Sequence, residues 1–330
     1  MKIEENALIH NSLGINSRCK LLVKIESIDD LVYIKDLIKT HNKYYIQGEG
    51  TNIIPPSFFD GLILKVEINH IKKNEKILSV GASYNWTQLV NFCIKEGING
   101  FENLIDIPGS VGASPIQNIG AYGADVSELI DSVDCFCLGT FTKKNLTNKE
   151  CSFAYRNSAI KNSQYLIYNI NFKTNLNKNI SYKYSSIQKY IESNSINPIN
   201  LTTKDISKII STIRSNVLPN PQFINNAGSF FKNPIIDKKL INFDNFTDDQ
   251  LVIWNYSDTL VKVGAARLIQ LIQDKIKPSQ NVSIYKNHSL VLITNGKASQ
   301  DEVLSYAAQI NQLVYKTFNI SLDIEPNIIN

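Results

Sequence analysis

No apolar run in the 330-residue chain comes near the ~18 residues that a membrane-spanning helix needs. The amino-terminal stretch MKIEENALIHNSLGI lacks a sustained apolar core and a small-residue cleavage site. No secretory leader is therefore expected, and the chain reads as cytoplasmic. Arginine is scarce beside lysine, and no arginine-rich patch with interleaved aromatics occurs, which argues against a nucleic-acid partner. The 34 basic against 30 acidic residues leave a net charge of only +4, spread as a chain-wide lysine bias that suits a solvated surface. The five cysteines, Cys19, Cys93, Cys135, Cys137 and Cys151, are odd in number and irregular in spacing. Cys135 and Cys137 would share a strand face, but no histidine stands nearby. No metal site is expected, and the thiols read as reduced and structural. Internal repeats are absent, and the only compositional bias is toward Asn and Lys.

What is present suits a folded protein of two or three domains: 43% of residues are hydrophobic and 19% charged, enough to build real cores. Strands are predicted at Leu21–Ile25, Tyr44–Ile46, Gly61–Val66, Lys76–Val80, Ser132–Leu138, Tyr165–Phe172, in the segment SLVLIT, and at Ile320–Ile324. Helices are predicted at Ser27–Thr40 with Ser27 as N-cap, and over Asn85–Glu96, Thr203–Ser215 and Ala265–Ile276. A further helix, QDEVLSYAAQINQLVYKTF, is opened by Ser299. An Asn-, Ser- and Lys-rich break at 179–200 suggests a boundary. The resulting reading is α+β, with regions 1–67, 68–200 and 201–330.

Two glycine-rich segments stand out. Gly48-Glu49-Gly50-Thr51-Asn52 follows a strand; its glycines permit positive φ and close backbone approach, and successive N–H groups in such a turn can hold an anion. It has neither the third glycine of a Rossmann fingerprint nor the Gly-Lys-Ser/Thr of a P-loop. The second segment, IPGSVGASPIQNIGAYG from Ile107 to Gly123, is small and apolar where a linker would be polar, so it packs. Pro108, Gly109, Ser110, Gly112, Ala113 and Ser114 offer small side chains and bare N–H groups. Gln117 and Asn118 add amides, and Gly120, Ala121 and Tyr122 add a bare stretch with an aromatic. Together they could serve a dinucleotide's pyrophosphate and ring edges.

GEGTN and IPGSVGASPIQNIGAYG, followed by FAYRNS, NAGSFFKNP and the tail in that order, resemble the UDP-N-acetylenolpyruvoylglucosamine reductase family over nearly the whole chain. The resemblance implies a two-part FAD-binding domain of the vanillyl-alcohol-oxidase/PCMH type, 1–67 and 68–200. A C-terminal α+β substrate-binding domain, 201–330, would follow, its tail returning to the active site. It implies FAD held by the two glycine-rich segments, NADPH as reductant, and a sugar-nucleotide substrate whose enolpyruvyl ether is reduced to a lactyl ether in muramic acid synthesis. Such a reaction needs a carboxylate clamp, a proton donor and stabilisation of negative charge. By resemblance these are Arg156 in Tyr155-Arg156-Asn157-Ser158, Ser229 in the Asn226–Pro234 motif, and Glu325. Strand alternation would set Asp323 on the same face as Glu325, so spacing alone does not choose between them. Lys232, Asn233, His288 and Tyr184 would line the substrate site, with Tyr182 a competitor for Tyr184. A monomer with small-molecule partners is expected.

The chain departs from the family pattern at Val217, where a lysine usually precedes Leu-Pro, and after Glu325, where Pro326-Asn327 replace an apolar residue and an arginine. Arg214 or Lys232 could replace the lost positive charge. Two alternatives stay open from residues alone: a flavoprotein oxidoreductase of the same fold on another substrate, and a flavin-binding protein without turnover.

Overall fold

The computed structural model describes residues 1–41, 43–175 and 179–330. The chain folds as two units: Met1–Ala7, Cys19–Glu49 and Asp60–Asn216 form the first, and Leu8–Arg18, Gly50–Phe59 and Val217–Asn330 the second.

The first unit holds helices α1 (Ile34–Thr40), α2 (Trp86–Lys95), α3 (Ser185–Ser193) and α4 (Thr203–Val217). One four-stranded sheet runs in the order Lys2–Leu8, Arg18–Ile25, Phe58–Val66, Tyr44–Gln47, its last pair parallel in the register Tyr44 opposite Leu62. A five-stranded antiparallel sheet runs Thr142–Thr147, Ile130–Cys137, Tyr165–Lys173, Ile77–Gly81, Ile71–Lys73. Alternation along its central strands splits their side chains between two apolar clusters. Val133, Cys135, Ile167 and Ile170 join α2 and α4 in the larger one, while Phe136, Leu138 and Leu166 join Val23, Ile34 and Leu62 in the other. The larger cluster is centred on three buried rings, with Trp86, Phe101 and Phe172 centroids 5.4 to 6.3 Å apart. The indole N–H is satisfied by Leu104 O at 2.8 Å, as a buried tryptophan requires.

The second unit holds α5 (Ala265–Leu271) and α6 (Gln300–Phe318). They pack with two three-stranded sheets, Asn225–Ser229/His288–Thr294/Val282–Tyr285 and Ile235–Asp237/Leu260–Val263/Ile253–Asn255. Ser299 caps α6 by accepting from Glu302 N at 3.1 Å, and Asn319 closes it in the left-handed conformation.

Several elements differ from the sequence-based expectation. The helix expected from Ser27 is a 3-10 turn at Asp29–Val32 followed by α1. Asp30 causes the break: its carboxylate accepts from the N–H groups of Glu26 and Ser27 and pairs with the Met1 amino group, which tightens the first turn. The Asn/Ser/Lys-rich stretch contains a helix, α3, that buries Ile187 and Ile191. The helix expected to reach Ile276 stops at Leu271, with a 3-10 turn beyond it. Ile320–Ile324 forms only an isolated bridge, Phe231 to Ile324. The terminal strand is Asn327–Ile328, parallel to Ile53–Ile54. All five cysteines are free thiols. Burial pushes the pKa of Cys135 up to about 12 and those of Cys19 and Cys151 up to about 11. Among the described residues no helix is long and apolar enough to cross a membrane, and no group of His, Cys, Asp or Glu is placed to hold a metal ion.

Replacing Phe172 with Ala opens the ring triangle and is expected to destabilise the first unit by about 3–5 kcal/mol. The check is a urea titration followed by Trp86 emission in a Trp254→Phe background; an unmoved midpoint would show that the rings do not hold this unit.

Candidate active site

The parallel strand Tyr44–Gln47 delivers Gly48, and here a side chain has no room. A Cβ on Gly48 would lie 3.0 Å from Ser110 Oγ and 3.4 Å from Ala113 Cβ. The two glycine-rich segments therefore meet in the first unit, Gly48 and Glu49 arriving from one side and the turn at Ser110–Ala113 from the other. That turn is a single 3-10 turn, Val111–Ala113, tied to the strand end below it by Val111 N to Tyr84 O and Gly112 N to Ala82 O, both 2.8 Å. Pro108 and Gly109 lead into it; Gly109 has φ +129 and its carbonyl accepts from Trp86 N at the start of α2. Ile107 packs against the larger apolar cluster.

Some residues expected at the cofactor hold the loop itself. Ser114 is buried and donates to Val111 O at 2.8 Å. Asn118 is buried at φ +46; its amide donates to Ala154 O and its side-chain oxygen accepts from Ser127 N. Ala113 stays at the Gly48 contact, and Gln117 is half-buried. The segment ends in a hairpin in which Gly120–Ala121 pairs with Ala124–Asp125 around Tyr122 and Gly123.

Arg156 belongs to this loop cluster. Its Nη2 donates to Gly120 O at 2.7 Å and its Nη1 to Asn118 O at 3.4 Å, with Asp125 Oδ1 3.8 Å away. The guanidinium also stands over the Tyr155 ring, 5.3 Å from its centroid. A Cβ on Gly120 would run into the Asp125 carboxylate and crowd Arg156. Tyr184 lies in the same unit at the start of α3, with its ring edge-on to Tyr122 at 5.3 Å. Tyr184 is exposed, whereas Tyr182 packs against the core. This contrast favours Tyr184 of the two as a surface that can meet a ligand.

The second unit carries the remaining candidates. The strand Asn225–Ser229 pairs Asn226 with Ile293 and Ser229 with Val291, and the register shift between these pairs is a bulge at Ala227-Gly228. Asn226 builds it: its side-chain oxygen accepts from Gly228 N at 2.9 Å, while its amide donates to Pro219 O and Ile224 O. A bulge re-aims the side chain that follows it, here Ser229. Glu325 N donates to Phe230 O at 2.9 Å, so Glu325 lies on the segment beside the serine's strand. Lys232 N donates to Asp323 O, and its ammonium stands 4.0 Å from the exposed Asp323 carboxylate. Asn233 Oδ1 accepts from Ala265 N and so caps α5. Burial lowers the pKa of His288, and its Nδ1 accepts from Leu290 N at 3.3 Å.

Gly50, Thr51 and Asn52 enter this unit through their carbonyls. Ser12 N donates to Gly50 O, Ser12 Oγ to Thr51 O and Asn327 N to Asn52 O, at 3.0 to 3.2 Å. Ser12 O in turn accepts from Asn226 N at 2.9 Å, so one residue ties GEGTN to NAGSFFKNP. Gln300 donates to Ile54 O and Ile329 O, both at 2.8 Å, and clamps the tail strand. Sequence reading singled out neither Ser12 nor Gln300. Their partners lie far along the chain, and nothing local marks them. Among the departures from the family pattern, Val217 ends α4, and Asn327 acts through its backbone in the tail strand.

Comparison with known proteins agrees with this architecture. A family model described as UDP-N-acetylenolpyruvoylglucosamine reductase, C-terminal domain, matches residues 218–329, and one described as FAD binding domain matches residues 19–138. The UDP-N-acetylenolpyruvoylglucosamine reductases of Flavobacterium johnsoniae and Amoebophilus asiaticus are 32% and 34% identical to the chain, each comparison covering 100% of both proteins. That of Buchnera aphidicola is 34% identical over 97% of this chain and 90% of its own length. The crystal structure of UDP-N-acetylenolpyruvylglucosamine reductase from Thermus caldophilus shares the fold, with a TM-score of 0.69 over 100% of both chains at 18% identity. On this sequence similarity, which runs from end to end, the chain belongs to the UDP-N-acetylenolpyruvoylglucosamine reductase family.

Proposed function

We propose that the chain reduces UDP-N-acetylglucosamine enolpyruvate to UDP-N-acetylmuramate in peptidoglycan precursor synthesis, with FAD as cofactor and NADPH as reductant. Family membership supports the reaction, and the match of residues 19–138 to an FAD binding domain supports the cofactor. The meeting of Gly48 with the turn at Ser110–Ala113, which brings two stretches of bare backbone together, fits this assignment. When bound, FAD would supply the two-electron chemistry that links NADPH oxidation to reduction of the enolpyruvyl ether.

The rest falls to the chain's own residues. Arg156 clamps the substrate carboxylate: a guanidinium matches it in two-point geometry and keeps its charge as negative charge grows on the adjacent carbon. Its bond to Gly120 O holds the plane of the fork. Ser229 delivers a proton from Oγ to that carbon, and the bulge at Gly228 sets the direction of the hydroxyl. Glu325 is the acid assigned to the reaction, in preference to Asp323, whose exposed carboxylate stands 4.0 Å from the Lys232 ammonium. Tyr184, Lys232, Asn233 and His288 line the sugar-nucleotide site. The observation that carries this reading is the backbone bond from Glu325 to Phe230, the residue after Ser229, which puts the proton donor and the glutamate on neighbouring segments. We further propose two FAD-binding subdomains, 1–67 and 68–200, followed by a substrate-binding domain, 201–330; the matches of residues 19–138 to an FAD binding domain and of 218–329 to the family's C-terminal domain support this order. On this reading the protein works in the cytoplasm as a monomer, on small molecules only.

Ser229→Ala is expected to leave flavin reduction by NADPH intact and to slow reoxidation by the enolpyruvyl substrate by about 10²–10⁴-fold, the range for a lost proton donor. Stopped-flow absorbance of the flavin separates the two half-reactions, and equal slowing of both would refute the role. Arg156→Ala is expected to lower the rate of the second half-reaction by about 10²–10³-fold, as for one charge-stabilising group. An unchanged single-turnover rate would exclude it.

A further inference from the structure

Tyr122 occupies a position that tyrosine rarely takes. It is the first central residue of the two-residue hairpin turn, with φ +50, and Gly123 follows at φ +79. Turns with positive φ at both central positions favour Asn, Asp or Gly at the first. A bulky side chain there is strained and persists only where its surroundings impose it. Three neighbours do so here. The buried Asn103 donates through Nδ2 to Tyr122 O at 2.9 Å and to Ser181 O at 3.1 Å. The Tyr184 ring packs edge-on. The third neighbour is Arg214, in the last turn of α4: burial pushes the pKa of the Tyr122 hydroxyl up, and the positive charge of Arg214 acts against that push.

Arg214 also reaches the other end of the same segment. Its Nη2 donates to Asp106 O at 3.1 Å, and Ser211, one turn earlier on α4, donates to the Asp106 carboxylate at 2.5 Å. Asp106 is itself a non-glycine residue at φ +58. The end of one helix thus grips the residue before Ile107 and the residue that turns the chain after Ala121. Among the described residues Arg214 has no carboxylate within ion-pair distance. Desolvation of this guanidinium is costly, and the Asp106 carboxylate and the Tyr122 hydroxyl act on its charge against that cost.

We propose that Arg214 is a positioning residue, a strut between Asp106 and Tyr122 that holds the second glycine-rich segment in its cofactor-binding shape before FAD arrives. This rests on the reading that the segment binds FAD. The test is FAD titration of the full-length apo-protein by flavin fluorescence, together with amide hydrogen exchange over residues 106–125 without cofactor. Arg214→Gln is expected to weaken FAD binding by about 30-fold and to speed exchange in that segment. Arg214→Lys, which can reach one acceptor but not both, still loses about 10-fold. Tyr122→Phe removes only the hydroxyl and is expected to lose about threefold, and the double variant Arg214→Gln/Tyr122→Phe binds no more weakly than Arg214→Gln alone. Unchanged affinity and exchange in Arg214→Gln, full rescue by Lys, or additive losses in the double variant would each overturn the strut. If Arg214→Gln does not fold, wild-type affinity in Tyr122→Phe overturns it. Failure of the wild-type chain to bind FAD would instead refute the cofactor assignment, and the exchange measurement would still decide the strut.

Discussion

The absence of a side chain at Gly48 lets the strand Tyr44–Gln47 end against the turn at Ser110–Ala113. Any Cβ there would push on Ser110 Oγ at 3.0 Å, and Ser110 cannot retreat far, because Val111 and Gly112 are bonded to the carbonyls of Tyr84 and Ala82. A contact of this kind tolerates almost no displacement, since packed interiors have little free volume. The two glycine-rich segments are about sixty residues apart in sequence and come from different sheets, so the parallel pairing of Tyr44–Gln47 with Phe58–Val66 and the anchoring of the turn on Gly81–Tyr84 must both be in register before they can meet. The fold of the first unit is in this sense a device for closing one small backbone gap.

Strain gathers around that gap. Asn118, Tyr122 and Arg156 all adopt positive φ, and none is glycine. Each is held by a neighbour in the same cluster. Asn118 bonds Ala154 O, Arg156 bonds the carbonyls of Asn118 and Gly120, and Asn103 bonds Tyr122 O. The loop of FAYRNS and the loop of IQNIGAYG therefore brace one another through a short circuit of side chain to backbone bonds. Backbone in sparsely populated regions costs free energy, and this arrangement offsets part of it locally through side chain to backbone bonds. Arg156 thus bonds two carbonyl groups of the neighbouring loop while the Asp125 carboxylate stands 3.8 Å away.

Much of the architecture was legible in the sequence where local chemistry and tertiary context agree. Asn85 and Ser299 open α2 and α6 with side-chain caps, and the apolar strands lie where their composition put them. The misses have physical causes. Helix α3 was hidden because only Ile187 and Ile191 are buried along a polar stretch, too sparse a stripe to read as a helix. The strand expected at Ile320–Ile324 is a single bridge, because Lys232 and Phe230 bond the backbone of Asp323 and Glu325 without a neighbouring strand to extend the ladder. Composition also could not reveal that Leu8–Arg18 and Gly50–Phe59 belong with the last third of the chain, since that partition depends on contacts such as Asn226 N to Ser12 O.

Candidate site residues divide along the same line. Glycines, Arg156 and Ser229 were visible because they sit in short dense motifs where residue type alone limits the backbone. The residues that frame them were not. Asn103, Asn226, Ser12 and Gln300 are ordinary polar side chains in sequence, and each gains its role by bonding a backbone carbonyl, in the case of Gln300 one that lies 246 positions away. Ser114, Asn118 and Asn233 show the converse: residue types that suit a ligand have known hydrogen bonds directed into the loop or onto α5. A buried polar group must be satisfied, and it is satisfied by whichever partner the fold brings within reach. Sequence shows which groups carry that demand; only the packed chain shows whether a ligand or the backbone meets it.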